Sequence, residues 1–324
     1  MSAAPTLADR VAAGGLLAAP LVVLLSGGRD SVCLLDIAAT VCGPQAVRAL
    51  HVDYGLRAAS GADAQVCREL CARLGVQLEV TQVTSPREGS GNLQAWARDL
   101  RYAEGAKLAA RLGARLAAGH TASDQVETIL YRLAAAPGRR ALLGMPDARG
   151  RLVRPLLRAG ATREETAAWC RGRGLTWAED ASNADERFAR ARVRDRVVPA
   201  LREVHPAAEA NVLRTAALLR DEAEVLDTVV DTALAARDRI ALEHLAGLPP
   251  ALARLVVRRL AEAATGGFCP SAPGRLAEIL ALGREGRAAA LDVGEGARAV
   301  IELGVLRFER TPPLPGERLP SAAP

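Results

Sequence analysis

For its first two hundred residues the chain alternates short apolar runs with longer segments of helical period. Leu21-Val22-Val23-Leu24-Leu25 is an unbroken apolar run, the pattern of a strand buried on both faces. Ser26-Gly27-Gly28 stops it, and Val32, Leu34, Leu35, Ile37 and Ala38 follow at helical spacing. The order is therefore strand, glycine turn, helix. Leu7 to Ala18 reads as a short helix ahead of this unit, and Val47 to Asp53 as a second strand. A helix from about Gly61 to Leu74 closes at Gly75, the residue type suited to a left-handed C-cap. Val76 to Val83 is a third strand, Asn92 to Leu112 a long helix, Arg115 to Gly119 a fourth strand, and Asp124 to Leu133 the next helix. Such alternation predicts an α/β fold with a doubly wound parallel sheet. Ligands gather at the carboxyl ends of the strands in these sheets, where Ser26, Asp53 and the stretch His120 to Asp124 all fall.

Pro137-Gly138-Arg139-Arg140 ends the helical pattern and opens a basic loop. Thr162 and Glu165 have the spacing of a capping box for a helix through Arg171. Glu179, Asp180 and Asn183 read as cap and turn residues, and Arg187 to Arg202 as a helix carrying Arg190, Arg192 and Arg194. His205-Pro206 is a hinge. Beyond it, Ala207 to Ala264 keeps helical period except at Pro249-Pro250, a further helix covers about Pro273 to Leu282, and Ala288–Leu291 with Ala297–Phe308 make a hairpin. The expected organisation is a catalytic domain over residues 1–205 and a smaller, mostly helical substrate-binding domain over 206–324.

Composition changes this picture only in part. Half of the 324 residues are apolar, enough for a sizeable core. No run reaches the length of a membrane span, and the first residues lack the basic start and apolar stretch of a signal peptide, so a cytoplasmic location is expected. The six cysteines are scattered without a C-x-x-C pair, and Cys67 and Cys71, one helical turn apart, read as packed residues rather than ligands. The net charge of +5 is carried almost wholly by arginine, Lys107 being the single lysine. Arginine suits phosphate, but an Ala/Arg-rich composition spreads it everywhere, so charge alone only tilts toward a nucleic-acid partner.

The glycine turn carries the chemistry. The first amides of a helix lack internal partners and sit at the positive end of its dipole, and Gly27 and Gly28 let the backbone approach an oxyanion. Ser26 and Ser31 add hydroxyls. Asp30 would repel phosphate unless a metal ion lay between them. No G-x-x-x-x-G-K-[ST] motif competes for the nucleotide.

Ser26-Gly27-Gly28-Arg29-Asp30-Ser31 resembles the S-G-G-x-D-S loop of the PP-loop pyrophosphatases, of the adenine nucleotide alpha hydrolase-like fold, which cut ATP between its α and β phosphates to adenylate a substrate. Further segments resemble the tRNA(Ile)-lysidine synthetase family within that group. They are His51-Val52-Asp53-Tyr54-Gly55-Leu56-Arg57, then Asn92 through Ala97-Arg98 to Arg101-Tyr102, then Gly119-His120-Thr121-Ala122-Ser123-Asp124-Gln125-Val126-Glu127-Thr128, with Arg154-Pro155-Leu156-Leu157 and the arginine helix after them. The resemblance covers about residues 20 to 205. Tyr54 and Thr121 stand where the family has histidines, Ser123 replaces the first aspartate of a D-D pair, Ala135-Ala136-Pro137 replaces Arg-Gly-Ser, and Ala191 replaces an asparagine.

The resemblance implies an ATP-dependent ligase that adenylates the wobble cytidine of an isoleucine tRNA with a CAU anticodon and joins free L-lysine to it, forming lysidine. It implies ATP held by Ser26, Gly27, Gly28, Arg29, Asp30 and Ser31, and Mg2+ held by Asp30 and Asp124. Glu127 would support the metal or the lysine ammonium, or make only a surface ion pair. His120 would contact phosphate or the base, or be a satisfied strand-end histidine. Asp53 would hold a ribose hydroxyl or lysine, or be a solvated turn residue. Arg98, Arg101, Arg139, Arg140, Arg190, Arg192 and Arg194 are the candidates for tRNA, and a homodimer is allowed. The alternatives are a PP-loop tRNA thiolase, which the scattered cysteines disfavour, and a catalytically inactive RNA-binding relative.

Overall fold

The computed structural model describes residues 4–54, 60–83, 93–135, 138–178, 189–283 and 288–312. The motif stretches Gly55-Leu56-Arg57, Asn92, Ala136-Pro137, Glu179 to Asn183 and Arg187 lie outside the described residues.

All four residues of β1 (Leu21–Leu24) are buried, and burying each such side chain contributes on the order of 1.5–3 kcal/mol. Helix α1 (Leu7–Ala13) precedes it, shorter than the apolar pattern suggests because the chain turns at Gly14-Gly15. After β1 come α2 (Arg29–Cys42), β2 (Val47–Asp53), α3 (Ser60–Leu74), β3 (Gln77–Gln82), α4 (Leu93–Arg111), β4 (Arg115–Ala117) and α5 (Ala122–Ala135). Shorter pieces follow: α6 (Arg139–Leu142), β5 (Ala148–Arg149), β6 (Leu152–Val153) and α7 (Pro155–Arg158). Then come α8 (Arg163–Gly172), α9 (Ala189–Arg192), α10 (Val198–Val204) and α11 (Ala208–Leu234).

The sheet order is β3-β2-β1-β4-β6-β5. Every pairing is parallel except that of β5 with β6. Strand order reverses at β1, with β2 on one side and β4 on the other. The crevice at the carboxyl ends of β1 and β4 is thus the switch point where ligands enter such sheets. Helix α8 has the expected capping box, with Thr162 and Glu165 satisfying each other's backbone groups. It packs on α2 through Asp36, whose carboxylate accepts from Trp169 Nε1 (2.9 Å) and from Arg173 Nε and Nη2 (3.1 Å each). The arginine helix is not one regular helix: a π-helical turn, Val193–Val197, joins α9 to α10.

The chain divides into two compact units, 1–219 and 220–324. The hinge read at His205-Pro206 is the break between α10 and α11, and α11 continues through residue 219. The second unit holds β7 (Arg239–Ala241), α12 (Leu242–Gly247), α13 (Pro250–Thr265), α14 (Leu276–Gly283), β8 (Ala289–Gly294), β9 (Ala297–Glu302) and β10 (Val305–Arg310). Its sheet has four antiparallel strands, β7-β10-β9-β8, where the apolar pattern gave a two-stranded hairpin. The run Ala297–Phe308 is two strands because Leu303 and Gly304 both take positive φ (49° and 72°), the geometry of a tight two-residue hairpin turn. Strand β7 was hidden inside a long stretch of helical period. Among the described residues no helix is long and apolar enough to cross a membrane.

Candidate active site

A cleft of about 550 Å3 opens at the carboxyl ends of β1 and β4 in the first unit. Its floor is the turn Ser26-Gly27-Gly28 and the first turn of α2. Gly27 has φ +85°, a conformation that L side chains rarely adopt. Its carbonyl accepts from the Ala178 amide at 2.9 Å. Gly28 is the N-cap of α2 and has no side chain to cap it, so the first amides of the helix meet no capping side chain from that position. The serines brace it. Ser31 Oγ donates to the Gly28 carbonyl (2.7 Å) and accepts from the Ser26 amide (3.2 Å), while Ser26 Oγ accepts from the Gly28 amide (3.3 Å). Ser31 therefore spends its hydrogen within the loop, its oxygen lies 3.1 Å from Ser26 Oγ, and both serines line the cleft, Ser26 the more exposed. Beneath them His51 Nδ1 donates to the Leu25 carbonyl at 2.9 Å, tying β2 to the end of β1.

Asp30 points toward α8. Its Oδ1 accepts from Thr166 Oγ1 (2.5 Å) and Arg29 Nε (3.1 Å). Asp124 caps α5: its Oδ2 accepts from the Thr121 amide (2.8 Å) and hydroxyl (2.9 Å). Its Oδ1 faces Arg163 Nη2 at 3.2 Å, and the same guanidinium donates to Glu127 Oε1 at 2.8 Å. Glu127 is buried. Burial raises its carboxyl above the ordinary value, against the pull of Arg163. Three of the expected residues, Asp30, Asp124 and Glu127, are thus gathered by two side chains of α8, Arg163 and Thr166, which the sequence did not single out.

His120 follows β4. Its Nδ1 accepts from Arg154 Nε at 3.0 Å. Burial lowers it from 6.5 to about 3, and Arg154, Arg98 and Arg190 push the same way against Asp124. The adjoining Gly119 packs on the backbone of α2: a Cβ there would sit 3.0 Å from the Asp30 carbonyl group.

The walls are basic. Arg29, Arg98, Arg101, Arg163, Arg190 and Arg194 line the cleft, against the carboxylates of Asp30 and Asp124. Arg98 lies over the Tyr102 ring at 5.1 Å, and Arg101 lies over the Tyr54 ring at 5.9 Å while donating to its hydroxyl at 3.1 Å. Arg190 donates to Thr128 Oγ1, and Arg194 pairs with Asp195 at 2.8 Å. Six of the expected residues do not line the cleft: Gly27, buried in the turn, Asp53 at the end of β2, Glu127, buried in α5 behind Arg163, Arg139 and Arg140 in α6, and Arg192 in α9.

A glycine anion cradle at the switch point of a parallel sheet, walled by arginine, defines an α/β domain built for a polyanionic ligand. Residues 10–201 match the PP-loop domain family. A tRNA(Ile)-lysidine synthase of Symbiobacterium thermophilum is 36% identical over 321 residues, covering 90% of this chain and 66% of the relative. A tRNA(Ile)-lysidine synthase of Mycolicibacterium paratuberculosis is 41% identical over 251 residues, 75% of each chain. The solved U34-tRNA thiolase of Methanococcus maripaludis, with its [4Fe-4S] cluster, superposes with TM-score 0.57 at 15% identity over 66% of this chain and 78% of its own, a likeness of fold. The chain belongs to the PP-loop family and, within it, to the tRNA(Ile)-lysidine synthase family. It spans 66% of the Symbiobacterium relative and 52% of one from Pseudomonas fluorescens.

Proposed function

We propose that this chain is an ATP-dependent ligase that converts the wobble cytidine of a CAU-anticodon isoleucine tRNA to lysidine. The C2 oxygen of the cytosine attacks the α-phosphorus of ATP, and pyrophosphate leaves toward the amides of the first turn of α2. An amine of free L-lysine then attacks C2, and AMP departs with the oxygen. The observation that carries this reading is the cradle itself: an aspartate, Asp30, set in the first turn of a glycine-capped helix facing arginine walls.

Asp30 and Asp124 offer carboxylate oxygens and no soft donors, a set that suits Mg2+ shared with phosphate oxygens. When bound there, the cation would neutralise charge on the triphosphate. Arg29 and Arg163 already sit on these carboxylates. They hold the oxygens in place and share the task of balancing phosphate. Arg98, Arg101, Arg190 and Arg194 would orient the tRNA backbone and triphosphate. Glu127, buried beside Arg163, would take the ammonium end of lysine. ATP and tRNA as substrates fit a cytoplasmic enzyme.

Cysteine-based sulfur transfer has less support, because the cleft lining contains no cysteine among the described residues. The deciding experiment combines labelled lysine, ATP and a CAU-anticodon isoleucine tRNA transcript. Lysine incorporation that disappears in Asp30→Ala is the expected result. Incorporation retained in that variant removes the role given to Asp30, and sulfur transfer in place of lysine transfer removes the ligase.

A further inference from the structure

We infer that Arg154 is a positioning residue that fixes the tautomer of His120, so that a neutral imidazole presents its Nε2–H to the ligand in the cleft. Arg154 was conspicuous in the sequence only as part of Arg-Pro-Leu-Leu. In the structure it stands between β6 and α7, 7% exposed, a rare place for a guanidinium. Three of its donors have partners. Nη1 donates to the Pro146 carbonyl at 2.6 Å, the main-chain amide donates to the Asp147 carbonyl at 2.8 Å, and Nε donates to His120 Nδ1 at 3.0 Å.

A guanidinium Nε–H has a hydrogen to give and nothing with which to accept. The nitrogen facing it must therefore carry a lone pair, and a neutral imidazole then holds its one hydrogen on Nε2. Nε2 faces the cleft. Its neighbours, Tyr102 Oη at 3.4 Å and Arg98 Nη2 at 3.5 Å, are too distant for strong bonds, so the Nε2–H remains available. Protonating Nδ1 would set two N–H groups against each other. It would also add a cation among Arg154, Arg98 and Arg190, with Asp124 the opposing carboxylate.

Such a group does not exchange protons with substrate. It is a preoriented neutral donor whose bond strengthens as negative charge builds on a phosphoryl oxygen, and it gives nothing up in the step. Only the identity of that oxygen rests on the ligase reading. The tautomer rests on the geometry of Arg154 alone.

The test is heteronuclear NMR of the full chain with 15N-labelled imidazoles. There are four histidines, and a His120→Gln variant assigns the signals. The expected wild-type spectrum shows an unprotonated Nδ1 and a protonated Nε2 at His120, unchanged between about pH 5 and pH 8. In Arg154→Met, which has no donor, both tautomers appear, while burial, Arg98 and Arg190 still hold the ring below the ordinary histidine value. Its kcat for lysine incorporation falls about 100-fold, with KM for ATP changed less than about threefold. Arg154→Lys, which keeps a donor, restores the wild-type tautomer in part. A wild-type ring protonated at Nδ1, or an Arg154→Met ring with the wild-type pattern, overturns the inference. The wild-type spectrum decides even if Arg154→Met does not fold. Failure of the wild type to incorporate lysine would refute the ligase reading and leave the tautomer standing.

Discussion

Replacing Gly119 by alanine tests whether the cradle depends on close backbone packing behind it. The new Cβ would lie 3.0 Å from the carbonyl carbon and oxygen of Asp30 and 3.1 Å from the Ser31 nitrogen, where ordinary contact begins at 3.4 Å. The two segments must therefore part by about 0.4 Å. The crowded atoms are main-chain atoms in the first turn of α2, so no rotamer change relieves them. Overpacking of this kind costs roughly 1–3 kcal/mol, and the lost freedom of glycine in the unfolded chain returns at most about 1 kcal/mol. A net loss of about 1–2 kcal/mol is expected in urea unfolding. The same shift moves the amides that would hold phosphate. Loss of one hydrogen bond to a charged group, about 1.5–3 kcal/mol, weakens ATP binding roughly 10- to 100-fold. Isothermal titration with ATP and Mg2+ reads this directly. Gly172→Ala is the control, since a Cβ there meets nothing within 4 Å. If Gly119→Ala keeps wild-type stability and binds ATP within about threefold of wild type, the packing argument is wrong.

Two further outcomes follow from single residues. Burial raises the Glu127 carboxyl above 4.5, so between that value and its raised one the folded protein holds a proton that the unfolded chain releases. The Glu127 contribution to stability is complete below that window and is lost as pH rises through it. Glu127→Gln should flatten this part of the profile of urea midpoints against pH, and identical profiles for the two proteins would contradict the burial argument. Leu303 is fully exposed with φ +49°, a conformation that costs a non-glycine residue about 1 kcal/mol or more. Leu303→Asn should therefore stabilise the chain by about 0.5–1 kcal/mol, and an unchanged or lower urea midpoint would count against the turn as described.

What the sequence made legible was what is local. Val47–Asp53 is a strand to the residue, because its apolar run follows the turn signal Gly43-Pro44 and ends at a charged residue. The Thr162–Glu165 box holds because both partners lie within one helical turn. The glycine cradle, Asp30, Asp124 and His120 stood out in the sequence because each lies in or beside a strand-to-helix turn, and Glu127 because it follows Asp124 by three on one helical face. Arg154, Arg163 and Thr166 were not, because what makes them important is distance along the chain: Thr166 meets Asp30 across 136 positions and Arg163 meets Asp124 across 39. Nothing in the local pattern of an amphipathic helix marks which of its residues will face a site built elsewhere. With so many arginines in the chain, Arg139, Arg140 and Arg192 looked equivalent to Arg190 and Arg194, and only the fold separates those that line the cleft. Periodicity failed at β7 and at Leu303-Gly304, where three-residue strands and a two-residue turn are shorter than the window that reveals a period.

The contacts of α8 make one of these missed residues a sharp test. Thr166 is fully buried, and its hydroxyl lies 2.5 Å from Asp30 Oδ1 and 3.0 Å from the Arg163 carbonyl. Arg29 Nε also reaches the same hydroxyl at 3.2 Å. Thr166→Val keeps the shape and removes the oxygen, leaving Arg29 as the partner that orients Asp30. Asp30 retains some exposure to water, so the stability cost should be small, about 1 kcal/mol. If Asp30 holds a cation that bridges to phosphate, loosening its orientation should raise the Mg2+ concentration needed for half-maximal lysine incorporation by about 10-fold, the lower end of what loss of an outer partner does to a metal site. ATP binding measured without Mg2+ should not change, because the amides of the cradle are untouched. A variant with the wild-type Mg2+ dependence would mean that Asp30 serves the loop and not the metal, and that the cation, if one is used, is held elsewhere.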